Sequence, residues 1–418
     1  MLKHLIVAIL LLGTPVCAQD KEELRYAVIM TRHGVRSPTW TNERLNAYSS
    51  APWPDFGVPP GNLTPHGRAL MKMMGEFYRR FLSGKGLKGL SGCVESRRLF
   101  TWADKDQRTL ETARALADGM LPGGSVPIHS VEGNGPDPVF DLVEAGSVER
   151  DPKLAMAAVS GRIGPKLDAL VAANRPAFDA LDYVLKGNGR AATSLFDEPP
   201  ALNIEGATVT MSGPLRIAST MTENLLLEYA NGMKGVQLGW GRLTPANLLQ
   251  VMALHTAYAD LLRRTPYLAR QRGAVLLERI VSSLQQAVRN SPVEGALGPA
   301  GGSLLLISGH DTNISNLSGL LNLSWILPGY QRDDVPPGGA LMLTLWHSPQ
   351  TGRYWVRTQF LSQTMDQMHD GAAPTLDNPP AIADLFVPGC SNSAQGYPCT
   401  FSSFVETARS ATRGSVGQ

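Results

Sequence analysis

The chain of 418 residues is short of cysteine, short of histidine, and without an excess of either charge. Its four cysteines are too few for a disulfide-stapled scaffold, and none has a Cys-x-x-Cys partner. Eight histidines with no His-x-x-x-His spacing leave structural zinc without a ligand set. Lys and Arg total 38 against 36 Asp and Glu, a net charge of +2, which leaves no footprint for nucleic acid or an anionic membrane surface. No stretch beyond the N-terminus approaches the about 20 uncharged apolar residues that a membrane span requires. A Gly-x-x-x-x-Gly-Lys-[Ser/Thr] loop and a Gly-x-Ser-x-Gly elbow are both lacking, and Gly133-Asn134-Gly135 lacks the third glycine of a dinucleotide loop. Internal repeats, low-complexity tracts and flexible linkers are absent as well. With 43% hydrophobic and 18% charged residues, an ordinary globular protein of one large or two average domains remains.

The first eighteen residues read as a secretory leader. Lys3 and His4 precede the apolar run Leu5 to Leu12, and Val16-Cys17-Ala18 puts small residues where a signal peptidase reads. Cys17 is not preceded by the small residue of a lipoprotein site, so a mature chain beginning near Gln19 is expected, periplasmic or secreted, with an uncleaved anchor as the alternative. Cys93, Cys390 and Cys399 then remain, enough in an oxidising compartment for one bridge and one odd thiol. Cys390 and Cys399 flank a loop-like stretch that a disulfide could close.

The apolar run Tyr26-Ala27-Val28-Ile29-Met30 predicts a buried strand, and it ends in Arg32-His33-Gly34-Val35-Arg36-Ser37-Pro38. Taken alone, an Arg-His pair is a basic surface loop. Here an imidazole stands between two guanidiniums at a strand end, a cluster that repels itself unless an anion sits in it, and a tetrahedral phosphate fits planar guanidinium forks. Gly34 is expected to let the backbone approach that anion.

This stretch resembles the Arg-His-Gly-x-Arg-x-Pro signature of the histidine acid phosphatases, and Gly309-His310-Asp311-Thr312-Asn313 resembles their second signature. The likeness to bacterial phytases of that family covers nearly all of the mature chain, including Leu63-Thr64-Pro65, Pro336-Pro337-Gly338-Gly339 and the paired cysteines near the end. It implies a histidine phosphatase fold, an α/β architecture with a mixed sheet sandwiched by helices. It also implies that Thr39 and Glu223 face the substrate, although a helix carboxylate such as Glu223 is, on its own, more often solvated. Related phytases often pair the counterpart of Cys93 with a downstream cysteine; here Gly123-Gly124-Ser125 occupies that region, so Cys93 is expected free. Where they carry a lysine after the threonine, this chain has Trp40.

Along the chain, Thr39 to Asn62 reads as a long Pro- and Trp-containing loop over the site rather than a core element. Thr64 caps a helix with Pro65 in its first turn, and Leu70, Met73, Met74, Phe77 and Phe81 form its core stripe. Arg98 to Trp102 predicts a second strand and Asp104 to Gly119 a helix with Arg108 near its start, the kind of place where ligands gather in open α/β sheets. From Val131 to Leu254 the pattern turns helical, with segments at Leu154 to Ser160, Gly164 to Ala173 and Ala177 to Leu185. The expected division is therefore a phosphatase core of 19–130 and 255–418 with an inserted helical subdomain of 131–254. Helices over Pro245 to Leu262 and Arg270 to Val288 lead to the apolar strand Ser303 to Ser308. Ala340 to Trp346 and Tyr354 to Phe360 read as an antiparallel hairpin at a sheet edge.

Three strand ends would thus deliver His33, Arg108 and His310-Asp311, with Arg32 and Arg36, to one pocket. That inventory suits two-step hydrolysis of a small phosphomonoester with no cofactor and no metal. His33 attacks phosphorus, Arg32, Arg36, Arg108 and His310 hold the non-bridging oxygens, and Asp311 protonates the leaving alkoxide with a proton of its own or one brought by the substrate. A metal at His310-Asp311 would be opposed by the arginines. A phosphate-ester binding protein would need neither His33 nor Asp311, and a phosphomutase sits poorly with a leader.

Overall fold

The computed structural model describes residues 22–90, 98–133, 135–141, 151–164, 166–206 and 208–413. The expected leader and Cys93 lie outside the described residues. In chain order the elements are β1 (Glu23–Arg32), α1 (Asn42–Asn46), α2 (Pro65–Gly84), β2 (Leu99–Ala103), α3 (Gln107–Met120) and β3 (Ile128–His129). A helical stretch follows: α4 (Pro152–Ile163), α5 (Leu167–Ala173), α6 (Arg175–Lys186), the antiparallel pair β4 (Ala201–Glu205) and β5 (Thr208–Ser212), α7 (Pro214–Ala230) and α8 (Pro245–Leu262). Then come α9 (Pro266–Arg289), β6 (Leu304–Gly309), α10 (Asp311–Leu320), β7 (Ala340–His347), β8 (Tyr354–Ser362), α11 (Met365–Asp370), β9 (Ala381–Leu385), β10 (Cys399–Thr400) and α12 (Phe401–Thr412).

The main sheet is mixed, in the order β10-β8-β7-β1-β6-β2-β3 with β9 also on β8. β1, β6, β2 and β3 run parallel, and β7, β8, β9 and β10 continue the sheet antiparallel. The hairpin β7–β8 is therefore not an edge, as the sequence suggested: β7 lies on β1, and β9 and β10 cover the far side of β8. Cys390 and Cys399 are disulfide-bonded, Cα atoms 5.2 Å apart, closing the loop that leads into β10.

Alternation along the strands sorts residues onto two faces, and both faces are covered, which is why the runs are continuously apolar. Val28, Met30, Leu305 and Ile307 pack with Leu277, Ile280, Ile314 and Phe404 of α9, α10 and α12. Ala27, Ile29, Leu304 and Leu306 pack with Met74, Phe77 and Leu116 of α2 and α3 on the other side. Those two helices touch backbone to backbone, since a Cβ on Gly75 would stand 2.2 Å from the carbonyl oxygen of Leu116. Thr64 caps α2 as expected, its Oγ1 accepting from Gly67 N–H at 2.9 Å.

A separate apolar cluster joins Phe178, Leu181, Met221, Leu225, Val251 and Leu254 of the helical stretch. It also takes in Leu45 and Trp53, 0% and 3% exposed. The stretch from Thr39 to Asn62 is thus more than a covering loop: α1 and Trp53 bury apolar surface in the helical cluster, which the many prolines around them disguised. α8 continues through the expected boundary at Leu254. Among the described residues no helix is long and apolar enough to cross a membrane.

Candidate active site

The central parallel strands stop at one level, with Arg32 paired to Gly309 and Ala103 to Ser308. Each ladder runs one residue further: His33 N–H donates to Gly309 O at 2.9 Å and Asp104 N–H to Ser308 O at 3.0 Å. Side chains just past these ends converge where the strand order reverses around β1.

His33 is buried. Its Nδ1 lies 2.9 Å from the carbonyl oxygen of Gly34, so Nδ1–H donates there and Nε2 keeps its lone pair. Burial first, then Arg32, Arg36, His310 and Arg108, hold the imidazole well below its ordinary range, which favours the neutral ring. The backbone around it is clamped by the Pro336-Pro337-Gly338-Gly339 turn, with Gly338 N–H donating to His33 O at 3.0 Å and Arg32 N–H to Gly339 O at 2.9 Å.

Arg32 donates from Nη1 to Val335 O at 2.5 Å and from Nη2 to Glu223 Oε1. Arg36 Nη2 lies 3.7 Å from the same Oε1, and its Nη1 donates to Ser37 O at 2.8 Å. Arg108 pairs with Asp106 and reaches Gly61 O at 3.4 Å. The Nε atoms of all three arginines are buried and have no acceptor. Buried donors are normally satisfied, and these three belong to arginines whose charges all act on His33, an arrangement that suits an anion's oxygens.

Glu223 is not a solvated helix carboxylate. It is buried on α7, with Oε1 on the two arginines and Oε2 3.7 Å from His255 Nε2. Burial pushes its carboxyl up, but Arg32, His255 and Arg36 together outweigh that and keep it ionised.

Asp311 opens α10. Its Oδ1 accepts from Thr312 N–H at 2.9 Å, while Oδ2 accepts from Arg263 Nη1 and stands 3.6 Å from His255 Nε2. Burial again raises the carboxyl, and Arg263, Arg32 and His255 override it, holding Asp311 well below the usual carboxylate range. In this arrangement Asp311 is a carboxylate, so of the two proton sources open from the sequence, its own and the substrate's, the geometry favours the substrate's.

His310 puts Nε2 2.6 Å from Asp104 Oδ2 and 3.6 Å from Asp106 Oδ2, and its ring meets His33 edge-on with centroids 5.6 Å apart. Asp104, Asp106 and His310 bring donor atoms within 4.8 Å of one another. His310 already binds Asp104, and Asp106 already pairs with Arg108, so the cluster is satisfied as hydrogen bonds and ion pairs. Thr39 is exposed on the rim: its Cγ2 and Arg108 Nη1 each lie 3.6 Å from where a Cβ on Gly61 would stand. Trp40 is half-buried and carries the Arg44 guanidinium 3.5 Å over its ring.

Gly34 has a different reason from the one expected. A Cβ there would meet Met71 Cγ at 2.7 Å and Gly67 O at 3.1 Å, and its N–H is taken by Thr112 Oγ1 at 3.0 Å. The glycine admits α2, not the anion. His255, Arg263 and Val335 were missed altogether; the one sign in the sequence was a histidine ending the largely apolar run from Leu248 to Leu254 in α8.

A sheet of this order with histidine, arginine and carboxylate side chains gathered at its switch point defines a phosphatase of the histidine type. Residues 23–360 match the histidine phosphatase superfamily (branch 2), and the chain belongs to that family, whose members here are acid phosphatases, phosphoric monoester hydrolases. It is 33% identical over 410 residues to phytase AppA of Escherichia coli K12, covering 94% of each chain. It is 27% identical over 393 residues to a glucose-1-phosphatase of Providencia rettgeri, covering 91% of this chain and 90% of that one. The structure of Hafnia alvei phytase in complex with myo-inositol hexakis sulphate superposes with a TM-score of 0.85 at 31% identity, covering 95% of this chain and 98% of that one.

Proposed function

We propose that this acid phosphatase transfers the phosphoryl group of a monoester to Nε2 of His33 and then to water, and that phytate is among its substrates. The observation that carries the reading is the set of three buried, unsatisfied Nε–H donors of Arg32, Arg36 and Arg108 beside a neutral imidazole. Those donors, with His310, grip the non-bridging oxygens while charge redistributes in a loose transition state. Nε2 of His33 bonds phosphorus as the ester P–O bond breaks, and Asp311 gives the departing oxygen its proton. In the second step Asp311 takes a proton from the attacking water, and the P–N bond breaks to release phosphate. A protein that only bound phosphate esters would use the arginines but would need neither the free lone pair on His33 nor Asp311.

Phytate is supported by the phytases among the relatives, by Thr312-Asn313, and by Thr39 on the rim beside Arg108. Trp40 departs from the phytase pattern, yet the Arg44 guanidinium on its ring returns a cation to the same side chain. The second reading, a general or glucose-1-phosphate phosphatase, is favoured by that departure and by the Providencia relative. The leader over residues 1–18 and the Cys390–Cys399 bridge support a periplasmic or secreted protein. The separate apolar cluster of the helical stretch supports an inserted subdomain near residues 131–254.

The test is phosphate release from phytate, glucose 1-phosphate, glycerol 2-phosphate and p-nitrophenyl phosphate with EDTA present, for the wild type and Trp40→Lys. Phytate should be hydrolysed, and Trp40→Lys should lower its KM more than that of a simple monoester. Equal KM values would take Trp40 out of the substrate site, and no phytate turnover by either protein would leave the general phosphatase.

A further inference from the structure

We propose that Arg263 is a positioning residue for the leaving-group acid, holding Asp311 as a carboxylate until the substrate's phosphate arrives and then turning toward that phosphate. The inference rests on the reading of Asp311 as the proton donor. Its basis is geometric. Asp311 Oδ2, the oxygen free of its own helix, accepts from Arg263 Nη1 at the end of α8. The Arg263 side chain is 17% exposed, while Arg32, which also acts on Asp311, is 1% exposed and pinned by Val335 and Glu223, and Arg36, the third guanidinium coupled to it, is held by Ser37 and Glu223. Of the three guanidiniums, Arg263 is the most exposed, and among the described residues its one side-chain partner is Asp311.

The charged groups round Asp311 come from every element packed against it. Arg32 faces it from β1 and Arg36 from the turn after β1, Glu223 from α7, His255 from α8 and Arg263 from the C-cap of α8; Tyr258 of α8 and Arg272 of α9 face Arg263, and Asp334, on the turn before β7, shares the fields of His255, Glu223 and Arg32. Burial alone would push the Asp311 carboxyl up, and Arg263 is the largest influence opposing it. A monoester near or below its second ionisation, about pH 6, brings one proton of its own. When such a monoanion enters, its oxygens compete for Arg263, and its proton passes to the Asp311 oxygen that Arg263 releases. His33 Nε2 then forms the N–P bond, the ester P–O bond breaks, and that proton leaves on the alcohol. Water next displaces the imidazole from phosphorus and gives its proton to Asp311, which passes it to the departing phosphate, and Arg263 closes again on the carboxylate.

The experiment compares kcat against pH for glycerol 2-phosphate and p-nitrophenyl phosphate in the wild type, Arg263→Gln, Arg263→Met and Arg263→Lys. Loss of the charge should move the basic limb of the glycerol 2-phosphate profile upward by about one pH unit, the equivalent of one modest ion pair. The p-nitrophenyl phosphate profile should move less, and Arg263→Lys should keep the wild-type limb. A uniform loss of rate with the limbs in place, for both esters, would mean a merely structural arginine and would overturn the proposal. If neither neutral variant folds, the wild type decides by 13C-carboxyl titration, with Asp311→Asn assigning the resonance. Inorganic phosphate should raise the pH at which Asp311 titrates, and an unchanged titration overturns the proposal. Asp311→Asn kinetics separate the two levels: equal slowing of both esters removes the acid reading itself, whereas selective slowing without a shift in the neutral variants removes only the role of Arg263.

Discussion

Glu223 Oε1 accepts from Arg32 Nη2 and lies 3.7 Å from Arg36 Nη2, so one carboxylate oxygen serves two of the three arginines whose charges act on His33. The proposed phosphate site is therefore cationic but partly neutralised beforehand, so a carboxylate there is expected to limit how tightly product phosphate is held while keeping both guanidiniums in place.

Glu223→Gln keeps an acceptor and removes the charge. Inorganic phosphate should then inhibit more tightly, by roughly tenfold for about 1.4 kcal/mol of added attraction, and kcat should fall as release slows. An inhibition constant equal to that of the wild type would show that Glu223 does not moderate the anion site.

His33→Ala should fold and lose turnover by several orders of magnitude, because the covalent step has no other lone pair in place. Near wild-type hydrolysis of p-nitrophenyl phosphate by the purified variant would remove His33 as nucleophile. Since His33 is held neutral well below its ordinary range, the wild-type rate on p-nitrophenyl phosphate should persist at pH values where free imidazole is protonated.

Asp311→Asn should slow glycerol 2-phosphate by on the order of a hundredfold or more, the usual worth of a positioned proton donor. p-Nitrophenyl phosphate, whose phenolate departs without help, should be slowed far less. The wild type should work best below neutral pH, where the monoester still carries its proton. A common loss on both esters would end the assignment.

Glu228 offers a stability test away from the chemistry. It is fully buried on α7, accepts only from Gly239 N–H at 2.8 Å, and burial pushes its carboxyl from an ordinary 4.5 up to about 8. A raised carboxyl binds its proton more tightly folded than unfolded. Its contribution is therefore complete below the unfolded value and is lost as pH rises through the folded one, at about 1.4 kcal/mol per pH unit in between. Denaturation at pH 5 and pH 7.5 should show the wild type losing stability over that interval and Glu228→Gln losing less. Parallel losses in the two proteins would place the charge elsewhere.

Much of this molecule was legible from local pattern. The buried strands, the Thr64-capped helix and the two signature stretches follow from hydrophobic runs and cap chemistry, which act over a few neighbouring residues. The hairpin of β7 and β8 was legible too, but not its interior place, because β9 and β10 reach it from Ala381 onward with short, weakly apolar strands. Trp53 was hidden for a like reason: prolines on either side suggest a loop, and only its packing with the helical cluster makes it core.

At the site, the sequence by itself determined which groups were available: a histidine between arginines at one strand end, and His310-Asp311 at another. Tertiary structure alone decided their states. Asp311 is held as a carboxylate by Arg263 at the C-cap of α8, by Arg32 and by His255 within α8, the first and last of them forty-eight and fifty-six residues upstream. The His33 imidazole is held low by burial and by four cationic or ionisable neighbours brought from three separate segments, and Gly34 O fixes the tautomer that leaves Nε2 its lone pair. Ionisation depends on distances between groups and on the water excluded around them. Neither is a property of the order of residues until the chain has folded.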